Sequence, residues 1–142
     1  MSHYLKGKTG ITNLDAVRRA CEKVGLSVRE GSRTPRGYAT IHPGWGDSLF
    51  EQQVRGKCDL VVGVRDRTSY EIGFAKQNDG TYTMHYDDYC GGEGLMDKVG
   101  PRADRFYQEI TAADFELATE AAGYSYTREE QNDGRILLMV NA

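Results

Sequence analysis

The stretch CDLVVGVRDRTSYEIGFAKQNDGTYTMHYD, residues 58–87, decides the fold class. It begins with the apolar run CDLVVGV, which is typical of a central strand that is buried on both faces. SYEIGFA (69–75) and TYTMHYD (81–87) then alternate with a period of two, which predicts two further strands. QNDG at 77–80 has the composition of a tight hairpin turn. The stretch therefore predicts a three-stranded antiparallel meander.

Helical patterns precede and follow this meander. The first lies within residues 12–26, where Thr12 or Asn13 can cap the helix, and the second covers residues 101–122. A break of the second helix at Thr111 is an alternative, but its unbroken apolar stripe favours one long helix. The first stripe comprises Leu14, Val17, Cys21 and Val24, and the second comprises Ala103, Phe106, Tyr107, Ile110, Ala113, Leu117, Ala118 and Ala121.

Weaker signals complete the fold. We expect an imperfect strand over 3–11, short strands at 26–29 and 37–41, and a final hairpin around a second QNDG at 131–134. The strands that flank the two QNDG copies do not match, which favours one turn used twice over an internal duplication. The predicted fold class is α+β, an antiparallel sheet of about five to seven strands with two helices packed on one face. A length of 142 residues predicts a single domain, 1–142.

The bulk composition limits the function classes. The net charge of −3 argues against a dedicated nucleic-acid or anionic-membrane surface. No apolar run approaches the length of a membrane span, and MSHYLKGKTG at the start has no export-signal pattern. Three cysteines without a CxxC pair fit free thiols in a reducing compartment. We therefore expect a cytoplasmic protein without a disulfide framework, and we expect Cys21 to be a small buried apolar residue.

Four segments together resemble one family. They are MSHYLKGKTGITNLDAVRRACEKVGL at the start, RGY at 36–38, DLVVGVRDRTSYEIGF at 59–74 and GYSYTREEQNDGRILLMV at 123–140. In this order they resemble the conserved chloroplast reading frame thirty-five family, a domain of unknown function that also occurs in bacterial and viral genomes. The sequence departs from the family pattern at 42–57 and 88–106. The resemblance implies a small α+β fold and no particular activity, and it suggests an ATPase of the AAA type as a partner.

The segment HYDDYCGGEG, residues 85–94, has the composition of a reactive site. Continued as a strand, it places His85, Asp87 and Tyr89 on one face and Tyr86, Asp88 and Cys90 on the other. A His85–Asp87 pair could ligate a metal or act as a base with its orienting carboxylate. Because the strand divides the possible ligands between its two faces, a closed zinc site would also need His3 or His42. We expect instead a solvated strand end, no metal, no cofactor and an ordinary Cys90 thiol, whose acidic neighbours would raise its pKa.

The longest loop-like segment, residues 31–57, contains the candidate partner-binding residues. Tryptophan, tyrosine and arginine contribute much of the binding energy in protein interfaces. The same mixture can also stack bases or clamp a phosphate, and the tryptophan could instead fold back onto the core. The candidates are Arg33, Arg36, Tyr38, His42 and Trp45.

The favoured function is a small non-catalytic protein-binding adaptor or regulator that uses the 31–57 loop, with 88–100 as a second contact. In a virus such a protein could inhibit a host system. A homodimer through sheet edges is also open. The alternative is a small-molecule-binding or hydrolytic enzyme domain that uses Arg36, His42, His85 and Asp87 around one pocket. A second alternative is nucleic-acid binding through Arg33 and Arg36.

Overall fold

The computed structural model describes residues 4–6, 10–37, 54–66 and 68–141. Its strands form a five-stranded antiparallel sheet and a separate two-stranded sheet. In chain order the elements are β1 (Tyr4–Lys6), α1 (Leu14–Val24), β2 (Ser27–Val28), β3 (Cys58–Gly63), β4 (Glu71–Lys76), β5 (Tyr82–Asp87), a 3₁₀ helix (Tyr89–Gly94), α2 (Leu95–Val99), a 3₁₀ turn (Pro101–Ala103), α3 (Asp104–Ala121), β6 (Ser125–Glu130) and β7 (Ile136–Asn141). The predicted α+β class is confirmed.

The main sheet has the strand order β1-β5-β4-β3-β2, and every neighbouring pair is antiparallel. The predicted meander forms its centre, with Val62 opposite Ile72 and Phe74 opposite Met84. Both edge strands are short in the part of the chain that the structure describes, where β1 has three residues and β2 has two. Of the strand predicted over 3–11, the described residues Tyr4–Lys6 form β1 and Ile11 adds an isolated bridge to Tyr82, while residues 3 and 7–9 lie outside the described residues.

The main core lies between one face of this sheet and the helices α1 and α3. Side chains that alternate along the meander, such as Ile72, Phe74 and Met84, are fully buried there. The rings of Phe74 and Phe106 meet edge to face, with their centroids 6.1 Å apart. A fully buried side chain of this size contributes about 1.5–3 kcal/mol, so these contacts join the two layers. The α1 stripe is confirmed, including the burial of Cys21.

The caps of α1 match the sequence signals. The Asn13 carboxamide accepts a hydrogen bond from the Asp15 N–H at 2.8 Å. At the other end Gly25 adopts φ 80°, and its N–H donates to the Cys21 carbonyl at 3.0 Å. Such caps satisfy backbone groups that would otherwise have no partner inside the helix.

The region predicted as one helix over 101–122 begins differently. The helix α3 starts at Asp104, because Arg102 and Ala103 adopt the left-handed φ values 56° and 58° and interrupt the helical path. The additional short helix α2 precedes this kink, so the prediction of two helices was incomplete. The break considered at Thr111 does not occur, and the Thr111 hydroxyl donates to the Tyr107 carbonyl at 3.0 Å within the helix.

Both QNDG tetrapeptides form the same turn. Gly80 N–H donates to the Gln77 carbonyl at 3.1 Å, and Gly134 N–H donates to the Gln131 carbonyl at 3.0 Å. Both glycines have positive φ, 86° and 88°, which glycine adopts without steric cost. The turns close hairpins in different sheets, so the shared turn accounts for the recurrence.

The final hairpin, β6 with β7, forms a sheet of its own and does not extend the main one. It packs on α3, where Arg128 reaches the Glu109 carboxylate at 2.7 and 2.8 Å and the Gln108 amide donates to the Gly134 carbonyl at 2.7 Å. The described chain thus has three layers: the main sheet, the helices and the hairpin. The strand considered at 37–41 lies outside the described residues, apart from its first residue.

Candidate functional site

Four polar side chains are buried on the sheet face opposite the helices. Glu71, Thr83, His85 and Asp87 are each at most 4% exposed. The interpretation of this strand end as solvated is therefore wrong. Most buried polar groups in proteins have hydrogen-bond partners, and both His85 and Asp87 make interactions in the structure, whereas the Thr83 hydroxyl has no hydrogen-bond partner among the described residues. The strand itself ends at Asp87, so the alternation does not continue to residues 89 and 90.

The cover of this face comes partly from the segment before β3. Val54, Cys58 and Val61 form a small second core on it. Pro35 packs so close to Gly73 that a Cβ at Gly73 would lie 2.9 Å from the proline Cγ. The absence of a side chain at Gly73 is therefore what allows the covering segment to approach the sheet.

Glu71 organises a cluster of arginines beside this face. Arg29 donates from Nη2 and Nε to the two Glu71 carboxylate oxygens at 2.6 and 2.8 Å, a bidentate pair. The backbone N–H of Arg36 donates to the same carboxylate at 2.8 Å, and Arg36 Nη1 lies 3.5 Å from it. A buried carboxylate needs such compensation. The cluster thus attaches the chain around residues 29–36 to the start of β4.

Arg36 is largely committed to internal contacts. Its Nε donates to the Ser69 carbonyl at 3.0 Å and its Nη2 to the Asp66 carbonyl at 2.9 Å. The Asp66 carboxylate in turn accepts hydrogen bonds from the Ser69 hydroxyl and backbone, which lower the pKa of Asp66. Arg33 is exposed, donates to the Gly56 carbonyl at 3.1 Å and lies 3.7 Å from Asp59. The other three partner-binding candidates, Tyr38, His42 and Trp45, lie outside the described residues.

Metal and thiol chemistry find little support in the described part of the chain. No group of three or more His, Cys, Asp or Glu side chains there could hold a metal ion. Cys21 and Cys58 are buried, and burial raises the pKa of each thiol to about 12. A thiol with such a pKa is a poor nucleophile near neutrality. Cys90 and the metal candidate His3 are outside the part whose side chains are described.

A surface on the opposite side of the molecule has the clearest features of a binding site. Its members are large apolar side chains that are between 41 and 49% exposed and that all come from residues 115–140. We call this set the hairpin surface; it consists of Phe115, Tyr124, Leu137, Met139 and Val140. Large apolar side chains that are concentrated in one region of a surface mark interaction sites.

A groove of about 480 Å³ adjoins the hairpin surface. One wall is α3 and the other is β7, with Phe115 and Leu138 among the lining side chains. The complete lining is Tyr107, Gln108, Thr111, Ala112, Phe115, Ile136 and Leu138. A groove lined mainly by apolar groups and a few polar ones is suited to apolar side chains of a protein partner.

The two strands of the hairpin differ in polarity. On the face turned away from α3, β6 presents Ser125, Thr127 and Glu129, whereas β7 presents Leu137 and Met139. On the face toward α3, β6 is anchored by Arg128, and burial raises the pKa of the Tyr126 phenol, an effect that Glu116 and Glu120 reinforce. The side chains on both faces of β7 are therefore apolar, whereas those of β6 are mainly polar.

Sequence reasoning predicted this hairpin but not its surface. The available signal was ILLMV at 136–140, five consecutive apolar residues in one strand. A strand that is apolar on both faces is typical of a strand that is buried on both faces. Here one face of β7, with Leu137 and Met139, is exposed, and that mismatch identifies the surface.

No family model, no curated protein and no solved structure matches this chain. The resemblance to the chloroplast reading frame family therefore stays a prediction. Among the described residues, no helix is both long enough and apolar enough to cross a membrane.

Proposed function

We propose that the protein is a non-catalytic binding module, an adaptor or regulator that recognises another protein through the hairpin surface. The observation that carries the proposal is that β7 exposes Leu137 and Met139 on one face, while Leu138 on its other face lines an apolar groove together with Phe115. Burying apolar surface of this kind is the main driving force for association between proteins.

The candidate partner-binding residues in the 31–57 loop contribute less to this proposal than the hairpin surface does. Arg36 uses its donors within the molecule, which leaves little for a partner. Arg33 keeps an exposed side chain and remains a candidate contact together with Tyr38, His42 and Trp45. An ATPase of the AAA type is one partner to test, and inhibition of a host system is one form the activity could take in a virus.

The two alternatives have less support. An enzyme or ligand site would need Arg36 as a free cation near His42, His85 and Asp87, yet Arg36 is paired with Glu71 and Asp66. A nucleic-acid surface would need free arginines, and Arg33 also has a carboxylate within 4 Å. Carboxylates so close reduce the positive potential that attracts phosphates.

Site-specific photocrosslinking in the native cell tests the proposal. A photoreactive residue at position 137 lies on the hairpin surface, whereas one at position 129 lies directly across the hairpin on the polar strand. We expect a discrete crosslinked protein from position 137 and much less from position 129. Equal crosslinking from both positions, or none from either, would contradict the proposal.

A further inference from the structure

We propose that the free edge of β7 pairs with β7 of a second copy, in antiparallel register and with Leu138 at the two-fold axis. This inference rests on the proposed function, because it names the partner of the hairpin surface. The paired strands would join two hairpins into one four-stranded sheet. The added strand would form backbone hydrogen bonds along β7 and bury apolar side chains that are exposed in one copy, Leu137 and Met139 among them.

The backbone of β7 presents the required hydrogen-bonding groups. Gln131 N–H donates to the Arg135 carbonyl, which makes that pair a hydrogen-bonded one. Pairs of the two types alternate along an antiparallel ladder, so the N–H and C=O groups of Leu137 and Met139 point to β6. Those of Ile136, Leu138 and Val140 point to the free edge.

The edge of β7 differs from the other sheet edges in the described chain. The outer strands of the main sheet, β1 and β2, have three and two residues, and short edges resist pairing. β6 carries Arg128, Glu129 and Glu130, and charges protect an edge. β7 has six residues, from Ile136 to Asn141, with no charge, proline or glycine.

The sequence of β7 is complementary to itself in this register. With Leu138 opposite Leu138 of the second copy, Ile136 lies opposite Val140, and Leu137 lies opposite Met139 on the other face. Arg135 comes opposite Asn141, so no like charges meet. In a two-fold interface the same surface of each copy contacts its counterpart in the other copy. Two β7 strands can pair in this way without placing like charges opposite each other. A different protein would need a matching apolar strand, whereas a second copy already has one.

Disulfide trapping tests this register of β7 against β7 directly. In a Cys90→Ser background, where the described thiols Cys21 and Cys58 are buried, we introduce Leu138→Cys or, as the control, Leu137→Cys. The Cα atoms of two facing residues 138 would be about 5.5 Å apart, within disulfide range, whereas two residues 137 would be about 8 Å apart. We expect rapid dimer formation for Leu138→Cys and at least ~10-fold slower formation for Leu137→Cys. Equal rates would overturn the proposed pairing.

A backbone variant provides the second test. Val140→Pro removes an N–H that points to the free edge, where proline is tolerated, while Val140→Thr keeps it. Proline removes two hydrogen bonds per dimer, so we expect its Kd for self-association to lie roughly 10-fold or more above that of Val140→Thr, which controls for the loss of the valine side chain. Equal effects of the two variants would contradict edge pairing.

The outcomes separate this inference from the proposed function. A protein that sediments as a monomer at every concentration overturns the dimer. If position 137 then still crosslinks to a different protein, the hairpin surface binds a partner and the proposed function stands. If position 137 crosslinks to nothing, both proposals fail.

Discussion

Leu137 of β7 lies directly opposite Glu129 of β6, on the face of the hairpin that is turned away from α3. One strand of the pair is polar there and the other is apolar. If that face were in contact only with water, a leucine would have no advantage over polar residues such as those on β6. The asymmetry supports the proposed contact with another protein along β7.

The first prediction concerns Leu137 and Met139. Replacing both by threonine keeps β propensity and removes apolar area at exposed positions. We expect the free energy of unfolding to change by less than about 0.5 kcal/mol per residue, and self-association to be lost. Chemical denaturation and sedimentation measure the two effects. Glu129→Thr, on the same face, is the control and should leave association intact. A large loss of stability with unchanged association would show that these side chains serve the fold.

The second prediction concerns the attachment of the hairpin to α3. The Arg128 and Glu109 side chains are 16 and 11% exposed, and their Nη2 and Oε1 atoms lie 2.7 Å apart. A double-mutant cycle with Arg128→Met and Glu109→Gln should give a coupling free energy of about 1–2 kcal/mol. The Arg135–Asp133 pair has the same 2.7 Å separation but is 82 and 52% exposed, so its coupling should stay below about 0.5 kcal/mol. Similar couplings for both pairs would disprove the special role of Arg128.

The third prediction concerns Glu71. Glu71→Ala removes the acceptor of both Arg29 and the Arg36 backbone, and it should cost about 3 kcal/mol in urea denaturation. Glu71→Gln should cost less, since an amide oxygen can still accept from the Arg36 N–H. Asp59→Ala removes an exposed carboxylate near Arg33 and should cost less than about 0.5 kcal/mol. If Glu71→Ala were as mild as Asp59→Ala, Glu71 would not organise this part of the fold.

The fourth prediction is a pH dependence. Burial raises the pKa of Cys21 from 9.0 to about 12, so the folded thiol keeps its proton where the unfolded thiol loses it. The stabilisation is therefore complete below about pH 9 and is lost as the pH rises from 9 to 12. Over this window the Cys21→Ala protein should lose stability less steeply than the wild type, by about 1.4 kcal/mol per pH unit. Denaturant titrations at several pH values measure the slopes, and identical slopes would mean that the thiol ionises equally in both states.

The parts of the fold that depend on local pattern were predictable. Alternation in the meander, the Asn13 and Gly25 caps of α1 and the two QNDG turns each depend on a few neighbouring residues. The start of α3 was not, because non-glycine residues such as Arg102 rarely adopt left-handed φ without support from tertiary contacts.

The candidate site was less predictable because burial depends on distant segments. The sequence predicts a solvated His85, because it does not show the segment that covers this face of the sheet. It likewise predicts an Arg36 that is available to a partner, because it does not show the contacts of Arg36 with Glu71. The apolar run in β7 is present in the sequence, but only the structure shows that Leu137 and Met139 on one of its faces are exposed.

Amide hydrogen exchange of β7, measured at low and high protein concentration, tests the central claim most directly. The N–H groups of Ile136, Leu138 and Val140 point to the free edge, whereas those of Leu137 and Met139 are already bonded to β6. If β7 pairs with β7 of a second copy, protection of the first three N–H groups rises with protein concentration, while protection of the other two changes far less. Fast exchange of Ile136, Leu138 and Val140 at every concentration would contradict it.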